Sequence, residues 1–293
     1  MAQLLTGAIA AAALAEKVRE SAAVLRAQGV APCLAILRVG GRSDALAYER
    51  AAQRRCTALG LDVRCVTLPD RVSQEALLTA VQQLNEDETV HGILPLLPLP
   101  AGLDAAALCR VLAPQKDVDG VTPDSRAALY ALEPCFAPCT AEACMTLLRA
   151  WNIPVAGKHA VVVGRSLVAG RPLAMLLLSA DATVTVCHSR TQNLAALCRE
   201  ADILVAAAGC RALLAAQHVR AGQVVLDVGI HTGEDGALCG DVDFAAAAPI
   251  VSALTPVPGG IGSVTNTVLA AHIVHAAEKI SKKSAKCRCY NDV

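Results

Sequence analysis

Residues 160–190, AVVVGRSLVAGRPLAMLLLSADATVTVCHSR, constrain the fold of this chain more than any other stretch. The apolar run Ala160 to Val163 reads as a buried strand, and Gly164 to Gly170 as a glycine-bounded turn. Pro172 to Ser179 is helix-like, and a second strand, Thr183 to Cys187, ends at His188-Ser189-Arg190. A strand, a glycine loop and a helix start bring backbone N–H groups to where a pyrophosphate can sit. The tip of the second strand is where a dinucleotide fold keeps the carboxylate that holds an adenosine ribose. Here that place offers Ser189 and Arg190 and no carboxylate. A hydroxyl and a guanidinium suit a 2′-phosphate, so the expected cofactor is NADP rather than NAD. The loop reads G-x-S-x-x-x-G, not G-x-G-x-x-G. On the motif alone, an ordinary βαβ unit with a tight turn stays open.

The same alternation runs along the chain. Helical patterns at 8–28, 44–59 and 73–85 alternate with strands at 33–39, 62–69 and 91–97. After a polar loop at 113–125 and a helix at 140–151, strands near 160–163, 183–187, 203–207 and 224–228 follow. A rigid loop TPVPGGIG (255–262) then leads to a closing helix, Val264 to Ile280. Strands alternating with helices predict an α/β protein with parallel sheets. At 293 residues the chain suits two such domains. The expected boundaries are residues 1–140 plus 265–293 for one and 141–264, Rossmann-like, for the other, with a cleft between them.

Composition narrows the function. Hydrophobic residues make up 54% and charged residues 18%, enough for a large core. Aromatics are only 2%, which argues against stacked recognition of bases or sugars. The formal net charge is +0, so neither nucleic acid nor an anionic membrane surface is an expected partner. The 13 cysteines form no C-x-x-C pair and lie mostly in apolar segments, as reduced core residues of a cytoplasmic protein would. The N-terminal GAIAAAALA has no basic residues before it, and Glu16, Lys17, Arg19 and Glu20 continue its helical pattern, so a signal peptide is not expected. The tail KKSAKCRCYNDV, with Cys287 and Cys289, reads as frayed chain rather than a metal site.

Four further segments carry candidate chemistry. Tyr48 sits on a helix with Arg50, Arg54 and Arg55, of which Arg55 shares its face. PLLPLP (95–100) ends a strand with closely spaced prolines that can hold a non-standard peptide geometry. KDVDG offers Lys116, Asp117 and Asp119, carboxylates for a hydrogen-bonding heterocycle or simple turn caps. TPVPGG lets backbone approach a ligand closely, or acts as a hinge. His272 and His275 lack an obvious third ligand, and neither H-E-x-x-H, G-x-S-x-G nor a Walker A sequence occurs, which removes support for metal hydrolysis, serine hydrolysis and ATP chemistry.

In order, Tyr48, PLLPLP, KDVDG, PCT (138–140), VVVGRSxxxGRP, CHSRT, DVGI (227–230), GDV (240–242) and TPVPGGIG resemble the bifunctional methylenetetrahydrofolate dehydrogenase/cyclohydrolase family, from about residue 5 to residue 280. The resemblance implies NADP-dependent oxidation of 5,10-methylenetetrahydrofolate to the 5,10-methenyl form, and in many members hydrolysis to 10-formyltetrahydrofolate. It implies a homodimer, a folate-binding N-terminal domain and an NADP-binding second domain. It assigns Tyr48 and Asp119 to the folate pocket, Asp119 on the pterin. Pro258, Gly259 and Gly260 become a substrate-flanking loop. Gly164, Arg165, Ser166, Ser189, Arg190 and Ile230 become cofactor contacts.

The chain departs from this pattern. The family's Tyr-x-x-x-Lys becomes Tyr48 and Ala52, and its strand-end glutamine becomes Leu96. Lysine and glutamine serve the cyclohydrolase step, so hydrolysis is expected to be weak while hydride transfer survives. Ser263-Val264 stands where Pro-Met is usual. Two alternatives stay open: a folate- and NADP-binding homologue without catalysis, and an oxidoreductase like shikimate dehydrogenase. The latter would need a Lys–Asp catalytic pair, and Lys116 lies too close in sequence to Asp119 to be an obvious match.

Overall fold

The computed structural model describes residues 2–233 and 236–291, with side chains described as far as Lys282 in the last helix. Cys287 and Cys289 lie outside the described side chains. In chain order the first elements are β1 (Gln3–Leu4), α1 (Gly7–Ala27), β2 (Cys33–Val39), α2 (Ser43–Ala58), β3 (Asp62–Leu68), α3 (Gln74–Glu86), β4 (Gly92–Pro95), α4 (Ala105–Val111), α5 (Pro123–Tyr130) and α6 (Cys139–Ala150). There follow β5 (His159–Val163), α7 (Gly170–Ser179), β6 (Thr183–Cys187), α8 (Leu194–Glu200), β7 (Ile203–Ala206) and β8 (Val224–Asp227). The chain closes with β9 (His231–Thr232), β10 (Leu238–Cys239), α9 (Phe244–Ala247), β11 (Ala253–Leu254) and α10 (Gly262–Asn291).

The chain forms two units. One, Met1–Ala13 with Leu129–Thr265, holds a six-stranded parallel sheet in the order β1-β11-β8-β7-β5-β6. The other, Leu14–Ala128 with Asn266–Val293, holds a three-stranded parallel sheet, β3-β2-β4. Residues 1–13 and 129–140 thus group with the larger sheet, whereas the sequence had placed them with the folate domain. For the N-terminus the reason is local. Gln3 and Leu4 pair with Ala253 and Leu254, Leu5 is fully buried, and the Trp151 indole donates to Thr6 O at 3.1 Å. A two-residue strand carries too little periodicity to be read in advance.

The long strands formed where they were read. Residues 160–163 of β5 are buried on both faces, as a central parallel strand flanked by helices requires. Val161, Val163, Leu204 and Val225 belong to one core, and Ala35, Leu37, Leu77, Val81, Ile93 and Leu108 to the other. With so few aromatics, interdigitated aliphatic chains supply nearly all of this packing. Helix α3 begins at a side-chain cap, Ser73 Oγ accepting from Ala76 N at 3.1 Å. Two expectations change. The 113–125 loop contains a 3-10 turn, Pro114–Lys116, and the start of α5. Helix α4 was not foreseen, being only seven residues long. The prolines of PLLPLP hold a cis Leu97–Pro98 peptide, and a second cis bond joins Val257 to Pro258. Among the described residues no helix is long and apolar enough to cross a membrane.

Candidate functional site

In the six-stranded unit, β5 delivers the chain to Gly164, whose φ is +135°. A Cβ there would lie 2.0 Å from Ala207 O, and a Cβ on Gly170 would lie 2.2 Å from Gly164 O. Both positions therefore require glycine: the backbone of the loop touches β7's end on one side and α7's start on the other. Ser166 Oγ accepts from Ala169 N at 3.2 Å and Gly170 N at 3.4 Å, fastening the loop to the helix. The result is a cavity of about 560 Å³ lined by Gly164, Arg165 and Ser166, by His188, Ser189 and Thr191, and by Ala207, Ala208 and Cys210.

The tip of β6 is a tight turn. Thr191 N donates to His188 O at 2.8 Å, and His188 N donates to Thr191 Oγ1 at 2.8 Å. Arg190 N donates to His188 Nδ1 at 3.2 Å, so in the neutral imidazole Nε2 carries the proton. Among the described residues no carboxylate lines the cavity, while one guanidinium and several donors do. These groups fit a phosphate-bearing dinucleotide. Arg190 itself is exposed and does not line the cavity, unlike Arg165 and Ser189.

A second cavity in the same unit, of about 310 Å³, is lined by Asp227 to Ile230, Leu238 and residues 256–263. It gathers Ile230, Pro258, Gly259 and Gly260. Gly259 has φ +101°, and a Cβ on Gly260 would meet Pro256 O at 2.5 Å. Gly7 N donates to Gly259 O at 2.8 Å. Ser263 Oγ donates to Gly260 O at 2.7 Å, so the serine that departs from the family pattern latches the loop. Asp227 is 4% exposed, and burial pushes its carboxyl up to about 6 against the pull of three backbone N–H donors.

In the three-stranded unit, Tyr48 is half-buried on α2. The helix is anchored to β2 beside it by Arg38 Nε donating to Glu49 Oε2 at 2.8 Å, a pair only 11% and 12% exposed. Ala52 is fully buried and Leu96 is 7% exposed, so both departures are apolar packing groups. Arg55 Nε donates to Thr267 Oγ1 of α10 at 2.9 Å, committing part of its guanidinium.

The three charges of KDVDG separate. Lys116 is 5% exposed and its Nζ donates to Leu84 O at 3.0 Å and Asp87 O at 2.7 Å, at the end of α3, where a cation meets the helix dipole. Desolvation lowers its pKa. Asp117 is fully buried and accepts from Val121 N, Thr122 N and Ser125 Oγ at 2.7–2.9 Å. Asp119 is half-buried. The turn is held from α10 by His272 Nδ1 donating to Val118 O at 2.9 Å. Lys116 and Asp117 are thus structural, which removes the basis for a Lys–Asp pair of the shikimate dehydrogenase kind.

Sequence reasoning misses His188, Thr191, Ala207, Ala208 and Cys210 as lining residues, and Asp241 except as part of GDV. His188 borders a strand, which was the available signal. Nothing local marks residues 207–210, which meet the loop only in space. Among the described residues no group of three His, Cys, Asp or Glu side chains is placed to hold a metal. Burial pushes the Cys56, Cys144 and Cys198 thiols up to about 12, leaving them unreactive.

Comparison with known proteins finds two domains of one family along the chain. Residues 5–119 match the tetrahydrofolate dehydrogenase/cyclohydrolase catalytic domain, and residues 138–281 match the NAD(P)-binding domain of the same family. The bifunctional protein FolD of Carboxydothermus hydrogenoformans is 46% identical over 95% of this chain and 98% of its own. The structure of the bifunctional FolD enzyme of Campylobacter jejuni superposes with a TM-score of 0.93 at 37% identity, covering 95% of this chain and 99% of that one. The Trypanosoma brucei enzyme, solved with NADP and an inhibitor, gives 0.90 at 36% identity, covering 95% and 98%. Two domain matches in the expected order, with relatives matched over nearly their whole length, mean that this chain belongs to the tetrahydrofolate dehydrogenase/cyclohydrolase family.

Proposed function

We propose that this protein is an NADP-dependent methylenetetrahydrofolate dehydrogenase, oxidising 5,10-methylenetetrahydrofolate to 5,10-methenyltetrahydrofolate in one-carbon metabolism. The observation that carries the cofactor reading is the cavity at the ends of β5, β6 and β7, which offers Arg165, Ser166 and Ser189 and, among the described residues, no carboxylate. When bound, NADP supplies a hydride acceptor at the nicotinamide C4. The chain's part is positioning. The 164–166 loop and the start of α7 present N–H groups to phosphate. Arg165 and Ser189, with Arg190 on the rim, take the 2′-phosphate. Ile230 and the Pro258-Gly259-Gly260 loop flank the reacting rings. Asp119 accepts hydrogen bonds from the pterin, and Tyr48 lines the folate pocket. The folate nitrogen lone pair expels the hydride, so this step asks the protein for geometry rather than for a base.

The cyclohydrolase step asks for more. Water must be placed on the methenyl carbon and a proton managed. Ala52 and Leu96 supply only hydrocarbon, and Arg55 is a permanent cation tied to Thr267. Hydrolysis to 10-formyltetrahydrofolate is therefore weak in this protein. A homodimeric, cytoplasmic form is what the family resemblance implies. The decisive experiment mixes protein, NADP and methylenetetrahydrofolate and follows NADPH absorbance. Steady formation of NADPH supports the dehydrogenase. Its absence, with both ligands bound, would instead favour a binding protein that has lost catalysis.

A further inference from the structure

The 208–210 segment, of which Ala208 and Cys210 line the dinucleotide cavity, is held by a single buried side chain. Asp241 is fully buried. Its Oδ2 accepts from Ala208 N at 2.6 Å and Gly209 N at 2.9 Å, and its Oδ1 accepts from Cys210 N at 3.0 Å. Three successive N–H groups converging on one anion form a nest, built here around the protein's own carboxyl group. A side-chain donor comes from His231, whose Nε2 lies 2.7 Å from Oδ1. Asp241 is itself fixed from behind. Asp227 Oδ1 accepts from Asp241 N at 2.9 Å and Gly229 N at 3.0 Å, and Asp227 Oδ2 accepts from Val242 N at 2.9 Å. The fit is reciprocal: a Cβ on Gly229 would lie 2.3 Å from Asp241 Oδ1. Asp227, Gly229 and Ile230 line the second cavity, while Ala208 and Cys210 line the first.

We propose that Asp241 is a positioning residue for dinucleotide binding, which sets the 208–210 wall of the nucleotide cavity and locks it to the 227–231 segment through His231 and Asp227. The role rests on the NADP reading of that cavity. The side chains of this loop are small, and beyond the packing of Ala208 on the core they give it little hold. Without an acceptor its three N–H groups would turn to water and the wall would lose its shape before the cofactor arrived. Organising that wall in the empty protein removes an ordering cost from binding.

The test is direct NADP titration by calorimetry together with steady-state kinetics, on the whole enzyme. Asp241→Asn keeps the shape but replaces one acceptor oxygen with a donor. It should raise the NADP dissociation constant and KM about 10-fold or more, leave the folate KM unchanged, and change kcat by less than about threefold. Asp241→Ala should weaken NADP at least as much and be partly rescued by formate, a free carboxylate that fits the vacated nest. Rescue is a response that general unfolding would not give. If neither variant folds, His231→Ala should still raise the NADP dissociation constant about threefold, through loss of one hydrogen bond. Normal NADP affinity in the folded variants overturns the proposal while leaving the NADP reading intact. A wild-type protein that binds no NADP overturns both.

Discussion

Gly240 lies directly against the carboxyl group of Asp227: a Cβ at that position would stand 1.9 Å from Oδ2 and 2.3 Å from Cγ. The carboxyl group cannot retreat without giving up three backbone hydrogen bonds at 2.9–3.0 Å. Gly240→Ala should therefore cost about 3 kcal/mol or more of stability, measured by urea unfolding. A cost within experimental error would mean that the segment has room the packing does not show.

Asp227 should also leave a mark on the pH dependence of stability. Its carboxyl group is raised from 3.8 to about 6 by burial, so folding favours the protonated form. The associated stabilisation is full below the unfolded value and is lost as pH rises through about 6. The shift corresponds to about 3 kcal/mol. Asp227→Asn cannot titrate. The unfolding free energy of the wild type minus that of the variant should fall by about this amount from about pH 4 to about pH 7. A difference that stays flat across that range contradicts the raised value.

Cofactor choice should depend on the cationic side chains at the cavity. Arg165→Ala should raise the NADP KM by about 10- to 100-fold and the NAD KM far less, because only NADP carries the 2′-phosphate. Arg190→Ala should do the same more weakly, since Arg190 sits outside the lining. Kinetics with both cofactors check this. Equal effects on the two, or a wild-type preference for NAD, would exclude a 2′-phosphate subsite here.

Asp119→Asn should weaken folate binding about 10- to 100-fold while leaving NADP affinity as it was. An amide can accept at only one of its two heteroatoms, and the pterin edge would be left with an unpaired donor. Asp117→Asn should act differently. It should lower stability, because Asp117 is fully buried and its carboxylate is taken up by three protein donors. Calorimetry on the first and thermal unfolding on the second separate the two carboxylates.

Methenyltetrahydrofolate should be hydrolysed far more slowly than NADP is reduced, read from its absorbance at a pH where spontaneous hydrolysis is slow. Ala52→Lys with Leu96→Gln should raise hydrolysis and preserve hydride transfer. Both sites are buried, so the pair should cost about 2–4 kcal/mol of stability. Rapid hydrolysis by the wild type would mean that another group does the lysine's work.

Much of the architecture could be read from the residues. Buried parallel strands write themselves as continuous apolar runs such as Ala160 to Val163 and Cys33 to Val39, and close backbone approaches leave glycines such as Gly164 and Gly170. The expectation of NADP could be drawn from the residues because a missing carboxylate at the end of β6 is a local feature. Ala52 and Leu96, where the resemblance implies a lysine and a glutamine, stand in the sequence just as plainly.

Other features depend on residues far apart in the chain. Strand β1 exists because Gln3 and Leu4 meet Ala253 and Leu254, and two residues cannot announce such a pairing. Asp117 and Asp119 are the same residue type in one pentapeptide. They are told apart by the Val121 and Thr122 amides and the Ser125 hydroxyl that close on the first. Lys116 looked like chemistry until its ammonium was found on the carbonyls of Leu84 and Asp87. Asp241 acts on amides more than thirty positions away in the chain. Local pattern thus specifies which segments become strands, helices and glycine turns, because those propensities act over a few residues. Which polar groups are consumed inside the fold is settled only when distant backbone amides and side chains arrive within 3 Å of one another, since a buried acceptor must find its donors wherever the chain has brought them.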